Sequence, residues 1–390
     1  MKRVLGIAVL ALALPAGATP SHSSGASPSA LSPPPVLAEI PVYLAVDLGS
    51  HQVLAQHQAD RVFLPASMTK VMTAYVAFEL IARGQLKPEQ VFTASPQTAA
   101  TWSGRGTGMR LRPGEQVSVD MLLHGITTIS ANDAAVVLAE GARGSIANWL
   151  ALMNGEAAKL GMTRSHFATP NGWPDGGATH VSAGDMVKLG QALIARHPAL
   201  YRRYFGKKTL VWHDVSQANH DPTVGLVPGA DGIKTGHTNE SGYSFLGTAI
   251  RDGRRVMIVV GGAPTEAKRA QAARELLEWG FAAWDARPLF ARGAVVGHAA
   301  VQGGSVRQVN LVVPSGLSVT VPRGTRPKVT MTLRYRGPLV APIAANAAAA
   351  QLEVSVDGQR VASVPLAVQI GVAAAGPFDR LANGLAGLLP

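Results

Sequence analysis

The chain has 390 residues, of which 47% are hydrophobic and only 15% are charged, which excludes a disordered polyelectrolyte. At usual domain sizes this length corresponds to about two or three domains, each with enough apolar sequence for a core. Cysteine is absent, which excludes thiol nucleophiles, cysteine-ligated zinc, iron–sulfur clusters and a cysteine-linked lipid anchor. Any nucleophile must therefore be a residue other than cysteine. We expect no metal and no cofactor.

Residues 1–18 have the composition of a cleaved secretory signal. Lys2 and Arg3 precede an apolar run from Val4 to Leu14, and small residues follow as far as Ala18. The run is too short for a membrane-spanning helix, which needs ~20 apolar residues. Residues 19–36 are rich in Ser, Pro, Ala and Gly, which predicts a disordered linker. The mature protein is expected to be exported and soluble, or bound only at a membrane surface.

Positive charge is concentrated near the C-terminus. Residues 286–390 contain 10 Lys and Arg against 3 Asp and Glu, whereas residues 19–285 contain 23 against 21. Outside the cytoplasm this asymmetry favours anionic lipid or wall polymer as a partner, and not nucleic acid. Solvated arginines without any partner are the alternative.

Residues 37–285 predict an α/β domain, because strands at both ends enclose a helical block. A hairpin is expected around Gly49, loops from Ser95 to Glu115, and helices from Val119 to Leu160 that break at four points. The predicted breaks are Gly125, Ser130, Gly141 and Gly144. The other predicted elements are helices at 69–83, 185–195 and 265–284, a turn region at 167–177, and strands at 243–250 and 256–260.

Residues 286–374 have a purely β pattern and predict a separate small domain. Alternating apolar residues occupy 309–313 and 317–321 on either side of a Ser-Gly turn, and an Asp-Gly turn at 357–358 predicts a hairpin between 352–356 and 361–366. Residues 375–390 follow as a separate tail.

The tail has one apolar stripe if it is helical, formed by Phe378, Leu381, Leu385, Leu388 and Leu389. Gly384 and Gly387 weaken a helix here, and a frayed terminus is the alternative. We expect residues 376–390 to make a peripheral contact with a membrane surface.

The sharpest local pattern is Ser67-Met68-Thr69-Lys70. If Ser67 lies at a helix start, Lys70 lies one turn later on the same face, so the hydroxyl has a base within reach. Ser-x-x-Lys alone is weak evidence, since its usual meaning is a helix cap followed by a surface lysine.

Two further motifs strengthen the interpretation, Ser130-Ala131-Asn132 and Lys234-Thr235-Gly236-His237-Thr238. With all three in this order, the chain resembles the D-alanyl-D-alanine carboxypeptidases, the low-molecular-mass penicillin-binding proteins, from about Val42 to Trp284 and more weakly beyond. The resemblance implies a penicillin-binding, β-lactamase-like transpeptidase fold, in which helices flank an antiparallel sheet beside a helical subdomain. A small all-β domain would follow it. It also implies a periplasmic enzyme, with peptidoglycan stem peptides as substrates and β-lactams as inhibitors.

The residues themselves suggest matching roles. Ser67 would attack the peptide carbonyl, Lys70 would act as base once burial and Lys234 lower its pKa, and Ser130 would pass the proton to the leaving amine. Asn132 would hold the substrate backbone. Glycine at 236 would let the substrate lie alongside the strand.

Further roles follow from the resemblance. It implies an oxyanion hole made by the backbone N–H groups of Ser67 and His237. It also points to Arg269, with the hydroxyls of Thr235 and Thr238, as the partners of the substrate's terminal carboxylate. Packing is the expected role of the His237 ring.

His213 and His220 lie outside these motifs. Their spacing fits no zinc motif, so they are interpreted as loop polarity.

Three other functions are alternatives to the carboxypeptidase hypothesis. A β-lactamase would share the nucleophile, but no Glu lies between Glu156 and Glu240 to activate the deacylating water. A D,D-endopeptidase resembles the same domain but generally lacks the appended β domain. A wall-binding scaffold without turnover is disfavoured because all three motifs are intact.

Overall fold

The computed structural model describes residues 5–10 and 31–379, which form two compact units. The larger unit holds residues 33–48 and 53–281. The β unit holds residues 5–10, 31–32, 49–52 and 282–379. Most of the predicted signal, the linker as far as residue 30, and the tail from residue 380 onward lie outside the described residues.

Strands are numbered along the chain, and β1 (Leu5–Leu10) belongs to the β unit. The strands that follow are β2 (Val42–Asp47), β3 (Gln52–His57), β4 (Val62–Phe63), β5 (Val91–Thr93), β6 (Gln116–Ser118), β7 (Val181–Ser182), β8 (Thr209–Trp212), β9 (Val215–Ala218), β10 (Ala230–Thr238), β11 (Gly242–Arg251) and β12 (Arg254–Ala263). The main sheet has the order β10-β11-β12-β2-β3. Because β12 pairs antiparallel with β2, the sheet joins the first and last segments of the predicted α/β region.

Eight helices are described in and beside this sheet. They are α1 (Lys70–Ala82), α2 (Pro96–Trp102), α3 (Val119–Thr128), α4 (Asn132–Arg143), α5 (Ile146–Lys159), α6 (Ala183–Arg196), α7 (Pro198–Tyr204) and α8 (Glu266–Ala282). Four of them begin at a serine whose hydroxyl accepts a backbone N–H three residues later, as expected of an N-cap. These caps are Ser95, Ser118, Ser145 and Ser182. Helix α1 is buried over most of its length and lies in the core.

The expectation of loops from Ser95 to Glu115 is wrong for its first part, since Ser95 and Pro96 start α2. The predicted breaks at Gly125 and Gly141 are also wrong, because α3 and α4 continue through them. A Cβ at Gly125 would collide with the Met109 side chain, and one at Gly141 with the Phe92 ring. These glycines allow close packing and do not end helices, whereas the breaks at Ser130 and Gly144 are confirmed.

The β unit contains β13 (Trp284–Phe290), β14 (Val295–Gln302), β15 (Gln308–Val312), β16 (Leu317–Pro322), β17 (Val329–Arg336), β18 (Leu339–Val340), β19 (Ala348–Val356) and β20 (Gln359–Val368). Its large sheet has the order β1-β17-β19-β20-β15-β14-β18, and β13 pairs with β16. The β19–β20 hairpin around Asp357-Gly358 is confirmed. Strands β15 and β16, which flank the Ser315-Gly316 turn, lie in different sheets and do not pair with each other. Trp284, expected to end a helix, instead begins β13.

Candidate active site

Ser67 lies in a single 3-10 turn, Ala66–Thr69, directly before α1. Ala66 has φ +48°, an uncommon value for a residue with a Cβ, so the chain turns sharply before Ser67. The Nζ of Lys70 lies 2.8 Å from the Oγ of Ser67. The helical spacing that the sequence predicts therefore brings the hydroxyl and the amine into contact.

Lys70 is buried, with 1% of its surface exposed. Besides Ser67, its Nζ contacts the Oδ1 of Asn132 and the carbonyl oxygen of Asn171, each at 2.7 Å. Burial, and next the positive charge of Lys234, hold the pKa of Lys70 well below its usual range. The low pKa favours a neutral amine, which can accept a proton.

Ser130 and Asn132 lie where the chain passes from α3 to α4. Ser130 has φ +62°, and its buried Oγ has no hydrogen-bond partner among the described residues. Ala131, between them, has an ordinary φ of −57°. The hydroxyl of Thr107 donates to the Ser130 carbonyl at 2.8 Å, and the Asn132 N–H donates to the Thr107 carbonyl at 2.9 Å. The 105–107 loop therefore holds this turn in place.

The third motif lies on β10, an edge strand of the main sheet. Lys234 is buried, and burial together with the charge of Arg269 lowers its pKa to about 7. The ring of His237 is exposed and stacks on Tyr243 with centroids 3.9 Å apart, which fits the expected packing role. Thr238 closes a turn with Ser241 through two hydrogen bonds of 2.9 and 3.0 Å.

Arg269 is 4% exposed and lies one turn into α8. Its guanidinium bonds Glu266 at 2.9 Å, while its Nε has no partner among the described residues. The partly buried Asp221 interacts through charge with both Arg269 and Lys234, and His220 lies beside the same cations. The group is a buried cluster of two cations with a spare donor, which suits the binding of a carboxylate.

One cleft of about 510 Å³ joins the three motifs. Its lining includes Ser67, Ser130, Asn132, Thr235, Gly236, His237, Thr238 and Arg269. A hydroxyl beside a neutral amine, in a cleft that also has cations for an anionic group, can form an ester with a substrate carbonyl. The expected site residues therefore come together in the larger unit, with Lys70 and Lys234 buried behind the cleft surface.

Two glycines hold the serine turn closely. A Cβ at Gly172, where φ is +74°, would overlap the carbonyl of Ala66, and one at Gly236 would overlap the carbonyl of Pro65. Gly236 was expected to leave room for substrate. It lines the cleft, but the close approach that the structure shows is between β10 and the turn that holds Ser67.

Several residues of the site had not been identified from the sequence. Asn171 acts through its backbone carbonyl, which any residue supplies, so the predicted turn at 167–177 was the only signal. His220, interpreted as loop polarity, lines the cleft together with Trp173. His213, in contrast, lies in the turn between β8 and β9, where its Nε2 contacts Glu115 at 2.6 Å.

Comparison with known proteins agrees with this geometry. Residues 29–265 match the family model "D-alanyl-D-alanine carboxypeptidase", and residues 284–373 match "Penicillin-binding protein 5, C-terminal domain". The D-alanyl-D-alanine carboxypeptidase DacD of Salmonella typhimurium is 30% identical over 372 residues, covering 93% of this chain and 94% of the relative. DacC of Escherichia coli is 32% identical over 344 residues, covering 87% of this chain and 86% of the relative.

Among solved structures, penicillin-binding protein 5 from Haemophilus influenzae superposes with a TM-score of 0.76 at 28% identity, covering 88% of this chain and 99% of that one. Penicillin-binding protein 6B from Escherichia coli superposes with a TM-score of 0.67 at 26% identity, covering 88% and 99%. The two family-model matches together span both units, and the first covers the positions of the three motifs. The chain belongs to the D-alanyl-D-alanine carboxypeptidase family of serine peptidases.

Proposed function

We propose that this chain removes the terminal D-alanine from peptidoglycan peptides that end in D-Ala-D-Ala, through an acyl-enzyme on Ser67. The observation that carries the proposal is the set of three contacts around Lys70. A neutral amine has two hydrogens and one lone pair. The oxygens of Asn132 and Asn171 can accept the two hydrogens, which directs the lone pair toward the hydroxyl of Ser67.

Acylation follows from this arrangement. Ser67 loses its proton to Lys70 as its Oγ bonds to the substrate carbonyl carbon, and the peptide C–N bond then breaks. The leaving amine takes a proton through Ser130, whose unpartnered hydroxyl both donates and accepts. Water hydrolyses the ester in a second step, which releases the shortened peptide and restores the hydroxyl of Ser67.

Substrate binding uses the edge of the main sheet. Because β10 is an edge strand, a peptide can add alongside it, where the backbone N–H of His237 joins that of Ser67 as the oxyanion hole. Asn132 holds the peptide on the other side. Arg269, with the hydroxyls of Thr235 and Thr238, takes the terminal carboxylate.

β-Lactams are expected to acylate the same serine and to leave slowly. No Glu lies between residues 156 and 240 to activate a water for rapid deacylation. Mass spectrometry of the protein with penicillin, and then with a D-Ala-D-Ala peptide, tests nucleophile and reaction together. Ser67→Ala should abolish both the adduct and D-alanine release, whereas Ser216→Ala, at an exposed serine on β9, should change neither. An adduct on another residue contradicts the assignment.

We also propose that the protein works in the periplasm, exported by residues 1–18, whose cleavage would remove β1 from the mature protein, and that residues 376–390 contact the inner membrane. Among the described residues no helix is long and apolar enough to span a membrane. The apolar stripe of the tail and the excess of bases after residue 285 support peripheral attachment. Flotation with anionic liposomes should carry the mature protein but not a version that ends at Ala375. If both stay unbound at low salt, the attachment is disproved.

A further inference from the structure

A second groove of about 510 Å³ lies beside the cleft in the larger unit. The Trp102 ring lines this groove, and the Trp173 ring lines the cleft. The two rings contact edge to face, with centroids 5.3 Å apart and planes at 81°. The tryptophan pair therefore separates the cleft from the groove, and a peptide bound in the cleft can extend across it into the groove.

The loop from Ser103 to Arg112, here called the arginine loop, borders both depressions. Arg105, Arg110 and Arg112 are exposed, and no ion pair with a described residue neutralises any of them. The acids on neighbouring elements are already engaged. Asp133 is buried and accepts the N–H groups of Met109 and Leu111, and Glu115 contacts His213.

The arginine loop is fixed to the candidate catalytic residues. The Nδ2 of Asn132 donates to the Arg105 carbonyl at 3.2 Å, in addition to the bonds that join Thr107 with Ser130 and Asn132. Gly106, with φ +64°, leaves no room for a Cβ between Asn132 and Trp173. The three arginine side chains of the arginine loop therefore extend from a backbone that is held in place next to the site of acylation.

We propose that the arginine loop is a substrate subsite that binds acidic residues of the peptide chain preceding the D-Ala-D-Ala end. This inference rests on the proposed function, in which Arg269 takes the leaving residue. The rest of the peptide then has to leave the cleft along other lining residues. On the Asn132 side of the cleft, Trp173 and Gly106 lie next to the exposed arginines of the arginine loop. These unpaired cations suit the binding of carboxylates.

Two acetylated tetrapeptides ending in D-Ala-D-Ala, with glutamate or glutamine as their first residue, test the proposal on the full chain. We expect kcat/KM to be about five-fold higher for the glutamate peptide, as two exposed ion pairs would give, and this ratio to fall with salt. In Arg110→Gln/Arg112→Gln, which removes the two arginines that line the groove, the ratio should fall to about one. In Lys87→Gln/Arg202→Gln, which removes two exposed charges outside both depressions, it should stay near five.

Penicillin and acetyl-D-Ala-D-Ala lack the distal residues, so they test the proposed function separately. The rates of penicillin acylation and of acetyl-D-Ala-D-Ala hydrolysis should be the same in the unmodified protein and in both double variants. Equilibrium binding of the tetrapeptides to Ser67→Ala, which cannot form the acyl-enzyme, followed by tryptophan fluorescence, should give the same ratio without turnover. A ratio of one in the unmodified protein overturns the proposal. So does a ratio that persists in the double arginine variant.

Discussion

Asn132 accepts a hydrogen bond from Lys70 across 62 positions of sequence, at 2.7 Å in a buried setting. This bond joins the first motif to the second and fixes the amine beside Ser67. The amide of Asn132 also donates to the arginine loop, at the Arg105 carbonyl. One side chain thus connects the base, the turn at Ser130 and the adjoining surface.

Replacing Lys70 by arginine should stop acylation while the fold is kept. A guanidinium cannot lose its proton in a protein, so no base remains for Ser67. We expect penicillin acylation to slow by at least about a hundred-fold, measured by stopped-flow with a fluorescent penicillin. Lys188→Arg, at an exposed site on α6, controls for the exchange itself, and circular dichroism reports folding. Near-normal acylation in the Lys70 variant would mean that another group takes the proton.

Replacing Gly172 by alanine should damage both stability and acylation, because the added Cβ overlaps the Ala66 carbonyl and displaces the Ser67 turn. We expect a loss of about 2–4 kcal/mol in the free energy of unfolding. Gly176→Ala is a matched control, with φ +70° against +74° but with nothing within 4 Å, and should cost only about 1 kcal/mol. Urea unfolding and penicillin acylation measure the two effects. Equal losses in both variants would show that backbone conformation, and not the contact, is responsible.

The pH profile of kcat/KM should fall on both sides of a maximum. It falls at low pH as Lys70 gains a proton, and above about pH 7 as Lys234 loses the charge that attracts the substrate carboxylate. The negative charge of Asp221 raises the pKa of Lys234, so Asp221→Asn should move the alkaline limb to lower pH. Asp120→Asn, which removes an acid that pairs with Arg203, should leave that limb in place. An alkaline limb unmoved by Asp221→Asn would assign it to another group.

Replacing Arg269 by alanine should affect peptides much more than penicillin, since the peptide relies on Arg269 for its terminal carboxylate. We expect kcat/KM for a D-Ala-D-Ala peptide to fall about a hundred-fold, the usual loss for a charge-assisted hydrogen bond, and penicillin acylation to fall less than about ten-fold. The neighbouring Lys268→Ala removes a partly exposed cation that pairs with Glu39 and should change neither. Equal losses for both ligands would reduce Arg269 to a structural role.

The sequence predicted those parts of the site that local spacing decides. Ser67 and Lys70 are one turn apart, so their contact follows from helical geometry. The contact of Lys70 with the Asn171 carbonyl could not be predicted, because a backbone oxygen has no signature in the side-chain sequence. The position of His220 in the cleft could not be predicted for a related reason, since only the folded loop brings it beside Lys234.

The fold shows the same division. Alternation and Asp-Gly pairs predict several of the strands and turns, as at β19 and β20, but not the short strands β4 to β9. Gly125 and Gly141 predict helix breaks because glycine disfavours helices. The side chains that pack against them, Met109 and Phe92, are distant in sequence, so the packing reason for glycine is not visible there. Likewise, alternation marked β15 and β16 as strands but carried no information on the sheet to which each belongs.

The segment that holds Ser67 is enclosed by backbone from two sides, at Gly172 and at Gly236. Mutations that shift Ser67 away from a β-lactam would therefore strain two separate chain segments at once. If β-lactams acylate Ser67 as proposed, we expect substitutions that reduce this acylation to lie on the cleft rim, where they would not strain these two segments. The rim includes Trp173 and the arginine loop, so we expect adaptive substitutions at these residues.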